Sequence, residues 1–149
     1  MAAGYSGKPL AAKLGLKPGQ RLLLLDASKH LLPELTVEGI QRTVDAAKAA
    51  APCDIVHAFV TEAGKLAPLL ERLKAMIAPD GMIWISWPKK ASAVATDVTE
   101  DVIRAQALKL GLVDVKVCAV DQIWSGLKLV IPLKDRPKPQ ATARRAARR

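Results

Sequence analysis

Aromatic residues are scarce: the 149-residue chain has three Trp, one Tyr and one Phe. Its core must therefore be filled mostly by Leu, Val, Ile and Ala. The tryptophans are too few and too scattered to form a base-stacking platform. Cysteine is nearly absent, with Cys53 and Cys118 alone. They form no C-x-x-C pair and have no histidine pair nearby, which argues against a metal site and against a disulfide framework. Both are expected to act as small buried hydrophobes. No apolar run approaches the ~18 residues that span a bilayer, and no secretory apolar region opens the chain. The first 25 residues hold no acid, one arginine and two prolines, which fits a folded N-terminal helix better than a transit segment. A cytoplasmic protein without a membrane partner is the expectation. No glycine occurs between Gly19 and Gly39. The patterns G-x-S-x-G, H-E-x-x-H and the P-loop are also missing.

What is present is ordinary for a globular domain: half the residues are hydrophobic and a quarter are charged. The length suits one domain with a real core. The net charge of +9 is uneven, because residues 134–149 carry seven basic groups and one acid, a net +6. The folded part is only mildly basic, so its charge is no signature of nucleic-acid binding. The expected organisation is one domain over residues 1–133 and a disordered basic tail over 134–149. If helical, that tail would place Arg144, Arg145, Arg148 and Arg149 on one face, suited to non-specific contact with nucleic acid or an acidic protein.

Along the domain, residues 8–16 have helical spacing, and Arg21 to Ala27 (RLLLLDA) reads as a strand buried on both sides. Residues 28–51 are ambiguous: one helical turn near Leu31, then a short strand or a helix from Ile40. Asp54 to Thr61 is a strand and Glu62 to Ala78 an amphipathic helix ended by a Pro79-Asp80-Gly81 turn. Met82 to Trp87 is a strand, and Pro88 to Ala95 a loop. Thr96 or Asp97 is expected to cap a helix to about Leu110, with Glu100 completing a capping box. Val113 to Val120 and Leu127 to Leu133 close the domain as an antiparallel hairpin joined through Ser125-Gly126. The implied fold class is α/β, a Rossmann-like, mostly parallel sheet with helices on both faces and a C-terminal antiparallel hairpin. The hairpin resembles the last two strands of methyltransferase-type sheets.

Three stretches carry a second resemblance. They are Tyr5-Ser-Gly-Lys-Pro-Leu with Lys13-Leu-Gly-Leu-Lys-Pro-Gly, then Trp87-Pro-Lys-Lys-Ala-Ser with Thr96-Asp-Val-Thr-Glu-Asp, and Val115-Lys-Val-Cys-Ala-Val-Asp with Trp124-Ser-Gly-Leu-Lys-Leu-Val. Together they resemble the bacterial family known as domain of unknown function 3052. The resemblance implies a class and a bacterial cytoplasm, and it supplies no catalytic residues.

Candidate site residues follow from position. Trp87-Pro-Lys-Lys-Ala-Ser leaves the carboxyl end of a central strand, where open α/β sheets hold ligands. Lys89, Lys90 and Ser92 there suit an anion, although the acids opening the next helix would repel a phosphate at its start. Asp26 ends the first strand, as an acid does in methyltransferases. Its loop lacks the glycines that let a backbone approach a nucleotide, so neither S-adenosylmethionine nor NAD is expected, and no other cofactor. Trp124 and Asp121 are read as a lid on the sheet or the wall of a pocket. His30 lies in the first loop without an obvious partner. His57, mid-strand with Ile55 and Phe59 on its face, is read as a core histidine. The leading expectation is a non-catalytic module that binds a protein or a small anion. The alternatives are a divergent methyltransferase-like enzyme and weak nucleic-acid association through the tail.

Overall fold

Alternation of apolar residues builds the sheet of this computed structural model, which describes residues 8–137. In β1 (Arg21–Leu25) Leu22 and Leu24 face one side and Leu23 the other. The remaining strands are β2 (Gln41–Thr43), β3 (Cys53–Phe59), β4 (Ile77–Pro88), β5 (Val113–Ala119) and β6 (Trp124–Val130). They form one six-stranded sheet in the order β2-β1-β3-β4-β6-β5. The pairs β1/β2, β1/β3 and β3/β4 are parallel, while β6 runs antiparallel to both β4 and β5. The Rossmann-like α/β fold expected from the pattern is the fold observed.

Two separate cores flank the sheet. Helices α2 (Leu66–Met76) and α3 (Glu100–Lys109) pack on one face through Leu66, Leu70, Leu73, Ile103 and Ala107, against Leu23, Val56, Ile83 and Leu127. Helix α1 (Leu10–Leu14) and a 3₁₀ turn at Lys29–Glu34 cover the other face, over Leu22, Leu24, Ile55, Phe59 and Trp84. Five residues are too few for a helix stable in isolation. Tertiary contacts hold α1: Trp84 Nε1 donates to Leu14 O at 3.0 Å, and Lys13 Nζ to Ala119 O at 3.3 Å.

Several boundaries differ from the expectation. Helix α2 starts at Leu66 behind a 3₁₀ turn (Ala63–Lys65), and Ile77 already belongs to β4. Pro79-Asp80-Gly81 is no free turn but an irregularity inside β4, whose pairing with β3 jumps from Cys53↔Ile77 to Ile55↔Met82. A Cβ on Gly81 would sit 3.0 Å from both Ala78 O and Asp54 O, so glycine is required here by close backbone approach. The cap of α3 is Thr99, whose hydroxyl accepts the Val102 N–H at 3.1 Å. Thr96 and Asp97 are both good caps, but they tie the preceding loop to the end of β3: Thr96 Oγ1 donates to Thr61 O and the Ala63 N–H donates to Asp97 Oδ1, each at 2.7 Å.

Ser125 and Gly126 lie inside β6, opposite Trp87 and Ser86 of β4, and the hairpin turn is residues 121–123. Gly126 serves packing, because an added Cβ would stand 3.1 Å from Ser86 Oγ and 3.2 Å from Trp84 Cε3. The ambiguous stretch 28–51 resolves into 3₁₀ turns and the three-residue β2. Beyond β6, Leu133–Asp135 forms a 3₁₀ turn and Arg136 Nε donates to Ile131 O at 2.8 Å. Among the described residues no helix is long and apolar enough to cross a membrane.

Candidate functional site at the carboxyl edge of the sheet

Strand order fixes where a site belongs. The connection from β1 leads outward to β2, whereas β3 lies on the other side of β1. The chain therefore reverses direction across the sheet between β1 and β3, and ligands of open α/β sheets bind at such a point, beyond the carboxyl ends of the strands. Asp26, exposed and directly after β1, has φ 61°. That left-handed conformation is one glycine adopts freely and aspartate tolerates better than most residues. The sharp turn after β1 thus exists although its loop has no glycine.

The 3₁₀ turn that follows meets a loop from the far side of the sheet. His30 Nε2 lies 3.0 Å from Asp121 Oδ2, a partner 91 positions away that sequence inspection did not find. Asp121 Oδ1 accepts the N–H groups of Ile123 (2.8 Å) and Trp124 (2.7 Å), and so shapes the β5–β6 turn. Burial pushes the Asp121 carboxyl up, but the bonds from His30, Trp124 and Ile123 outweigh it, and the net direction is down. The Trp124 ring meets Phe59 edge-on at 5.1 Å, and Phe59 stacks on His57 at 4.4 Å. His57 is fully buried, with Nε2 2.6 Å from Ser86 Oγ. Burial lowers its pKa to about 3, so it is neutral at ordinary pH. It is a satisfied core histidine, as its strand position suggested.

The loop after β4 lies at the same edge over the opposite face. The Lys89 N–H donates to Ile123 O at 2.7 Å, joining this loop to the β5–β6 turn. The Ser92 hydroxyl donates to Lys89 O and accepts the Val94 N–H, so it is used within its own turn. Ala93 holds φ 64°. Beneath this loop is a cavity of about 520 Å³ whose wall includes Trp87, Pro88, Lys90, Val94, Val98 and Glu100. Lys90 lines it; Lys89, Ser92, Asp26 and Trp124 do not. Glu100 and Asp101, in the first turn of α3, both bind Arg104, which also reaches Asp114. The helix start is therefore already compensated, and Lys90 is the cation facing the cavity. An apolar body with one anionic or polar group would match this lining.

The structure thus divides the expected site residues among separate places at one edge. His30 and Trp124 both bond Asp121, Asp26 stands exposed at the end of β1, and Lys90 lines the cavity beside β4. No cluster of three or more potential metal-ligating side chains occurs among the described residues. Cys53 and Cys118 are buried free thiols. The tail residues Arg144, Arg145, Arg148 and Arg149 lie outside the described residues.

No family model and no curated protein matches this chain, so the resemblance to domain of unknown function 3052 gains no support. Solved structures are similar in fold. A SAM-dependent methyltransferase from Aquifex aeolicus aligns with TM-score 0.57 at 13% identity, over 83% of this chain and 88% of that one. Magnesium protoporphyrin IX methyltransferase from Synechocystis PCC 6803, with bound SAM, gives 0.54 at 14% identity, over 83% and 74%. The structure of a putative methyltransferase from Thermoplasma acidophilum gives 0.50 at 10% identity, over 85% and 75%. At such identities the likeness establishes the fold alone.

Proposed function

We propose that this chain is a divergent S-adenosylmethionine-dependent methyltransferase. Its cofactor would lie at the β1/β3 switch point, and its methyl acceptor in the cavity beside β4. One observation carries the reading. Directly after β1, at the reversal of strand order, Asp26 turns the chain through φ 61° and supplies without glycine the sharp bend such a site needs. The likeness in fold to methyltransferases supports it.

The residues present fit the cofactor in part. The Asp26 carboxylate is exposed at the strand end and would accept hydrogen bonds from hydroxyl or ammonium groups, with the Ser28 hydroxyl two residues on. The bound cofactor would supply an electrophilic methyl group. In the cavity, the buried Trp87 and Val98 would give the acceptor an apolar floor, and Lys90 would pair with an anionic group of it. Its volume of about 520 Å³ falls within the roughly 300–1,000 Å³ of small-molecule sites.

A second reading, a non-catalytic module for a small anion or a protein, is favoured by the segment after Asp26. That segment is a six-residue 3₁₀ turn containing Pro33, so it offers few aligned N–H groups to a ligand.

Calorimetry and thermal unfolding with S-adenosylmethionine separate the two. Saturable binding is expected, with a gain of about 2.7 kcal/mol in stability at a hundredfold excess over Kd. Asp26→Gly keeps the turn and removes the carboxylate, so it should fold normally and bind about tenfold more weakly. Absence of binding at millimolar cofactor would overturn the enzyme reading and leave the binding module.

A further inference from the structure

We propose that the outer edge of β5 binds an extended acidic peptide as an added strand, with its carboxylates over lysines on one face and its apolar residues beside valines on the other. This surface is independent of the function assigned to the carboxyl edge. Strand β5 is the last of the sheet and pairs on one side only, with β6. The backbone groups of such an edge are a template for another extended chain. Alternation sorts its side chains by character. Lys116 stands directly opposite Lys128 of β6, which pairs in turn with Trp84 of β4. Trp84 belongs to the core beneath α1, so both lysines point to the α1 side. Lys13 of α1 reaches the same place and donates to Ala119 O at 3.3 Å. Val117 stands opposite Leu127, which belongs to the core beneath α2 and α3, so it points the other way. Val117 and Val115 are about half exposed, at 48% and 51%.

Like charges directly opposite each other in a sheet are destabilising. Among the described residues no carboxylate pairs with Lys116 or Lys128. Burial, and then the charge of Lys116, hold the Lys128 ammonium below its usual range. A glutamate opposite Lys116 on an added strand would have its Cβ about 5 Å away and would relieve this repulsion. The acids of this region lie on the α3 side, where Asp114, Glu100 and Asp101 bind Arg104. They would repel glutamates there, so the charges fix which residues of the peptide face which side. The irregularity between Asp114 and Lys116 leaves residues 116–119 as the regular stretch. Bulges and edge lysines discourage self-pairing of strands. A second copy would gather the lysines of both chains on one face, whereas the same lysines attract an acidic strand.

The test uses a capped synthetic peptide of alternating Glu and Val, seven residues long like β5. It is titrated into the full chain and followed by calorimetry and by amide NMR shifts. Saturable shifts are expected at residues 115–118, and a Lys/Val peptide should not bind. Lys116→Glu and Lys128→Gln should each weaken binding at least about tenfold. Methylation of the peptide amides should abolish it, because the added strand then has no donors. Lys116→Glu should not lower the unfolding temperature, because the side chain is exposed and the change relieves the repulsion with Lys128. Equal affinity in both variants, or for a peptide with its glutamates grouped at one end, would overturn the proposal. So would absence of binding at millimolar peptide, shifts confined to residues outside β5 and β6, or a dimer of the free chain paired through β5. Binding of a single-stranded oligonucleotide at this edge without binding of the peptide would also overturn it.

Discussion

The two faces of the sheet are packed by different means. One is covered by α2 and α3, ten or eleven residues each, whose leucines and isoleucine form a continuous aliphatic layer. The other is covered by a five-residue helix and a 3₁₀ turn. There Trp84, Phe59 and His57 replace the area that longer helices would bury. The first face is stabilised by repeated small contributions, and the second concentrates its packing in a few large side chains. The second face also reaches the β1/β3 switch point through the Phe59–Trp124 contact, so its integrity bears on the candidate site.

The largest expected effect strikes that concentration. Trp84 is fully buried, and its indole N–H holds the end of α1. Trp84→Ala should cost about 3–5 kcal/mol, measured by denaturant unfolding, and should release α1 to hydrogen exchange before α2. An equal loss of protection in both helices would contradict the proposed difference between the faces.

A smaller effect is pH-dependent. Unfolded His57 takes up a proton near pH 6.5, whereas in the fold burial holds its pKa at about 3. Between these values the unfolded state binds more protons, so stability falls as pH is lowered through that window. The slope contributed approaches about 1.4 kcal/mol per pH unit. Comparison of urea unfolding at pH 7 and pH 4.5 should reveal it, and His57→Gln should remove that component.

The smallest effect sharpens the helical face. Thr99→Ala removes the α3 cap and should cost about 1 kcal/mol, with fraying limited to the first turn. A loss as large as that of Trp84→Ala would mean that the helical face also depends on single residues.

Much of the frame was legible from local pattern. The strands at Leu22, Val56 and Ile83, the stripe of α2 and the closing hairpin all follow from apolar spacing. The core role of His57 follows from its neighbours Ile55 and Phe59. The boundaries that moved share one cause. Turn-forming residues such as Gly81, Ser125-Gly126 and Asp97 are used here for close backbone approach or for long-range hydrogen bonds, and local pattern cannot distinguish these uses from a turn. Of the candidate site, the carboxyl edge and the places of Asp26 and Lys90 on it follow from the order of elements along the chain, whereas the His30–Asp121 contact and the internal use of the Ser92 hydroxyl do not.

The sequence alone determined the aliphatic core, the α/β alternation and the absence of a glycine-rich loop, because each depends on residue type and short spacing. Only the tertiary structure decided that the glycine-free loop still makes its turn, at Asp26, and that His30 meets Asp121. These outcomes depend on which strands become neighbours, and strand pairing joins residues far apart in the chain through contacts that no local spacing encodes.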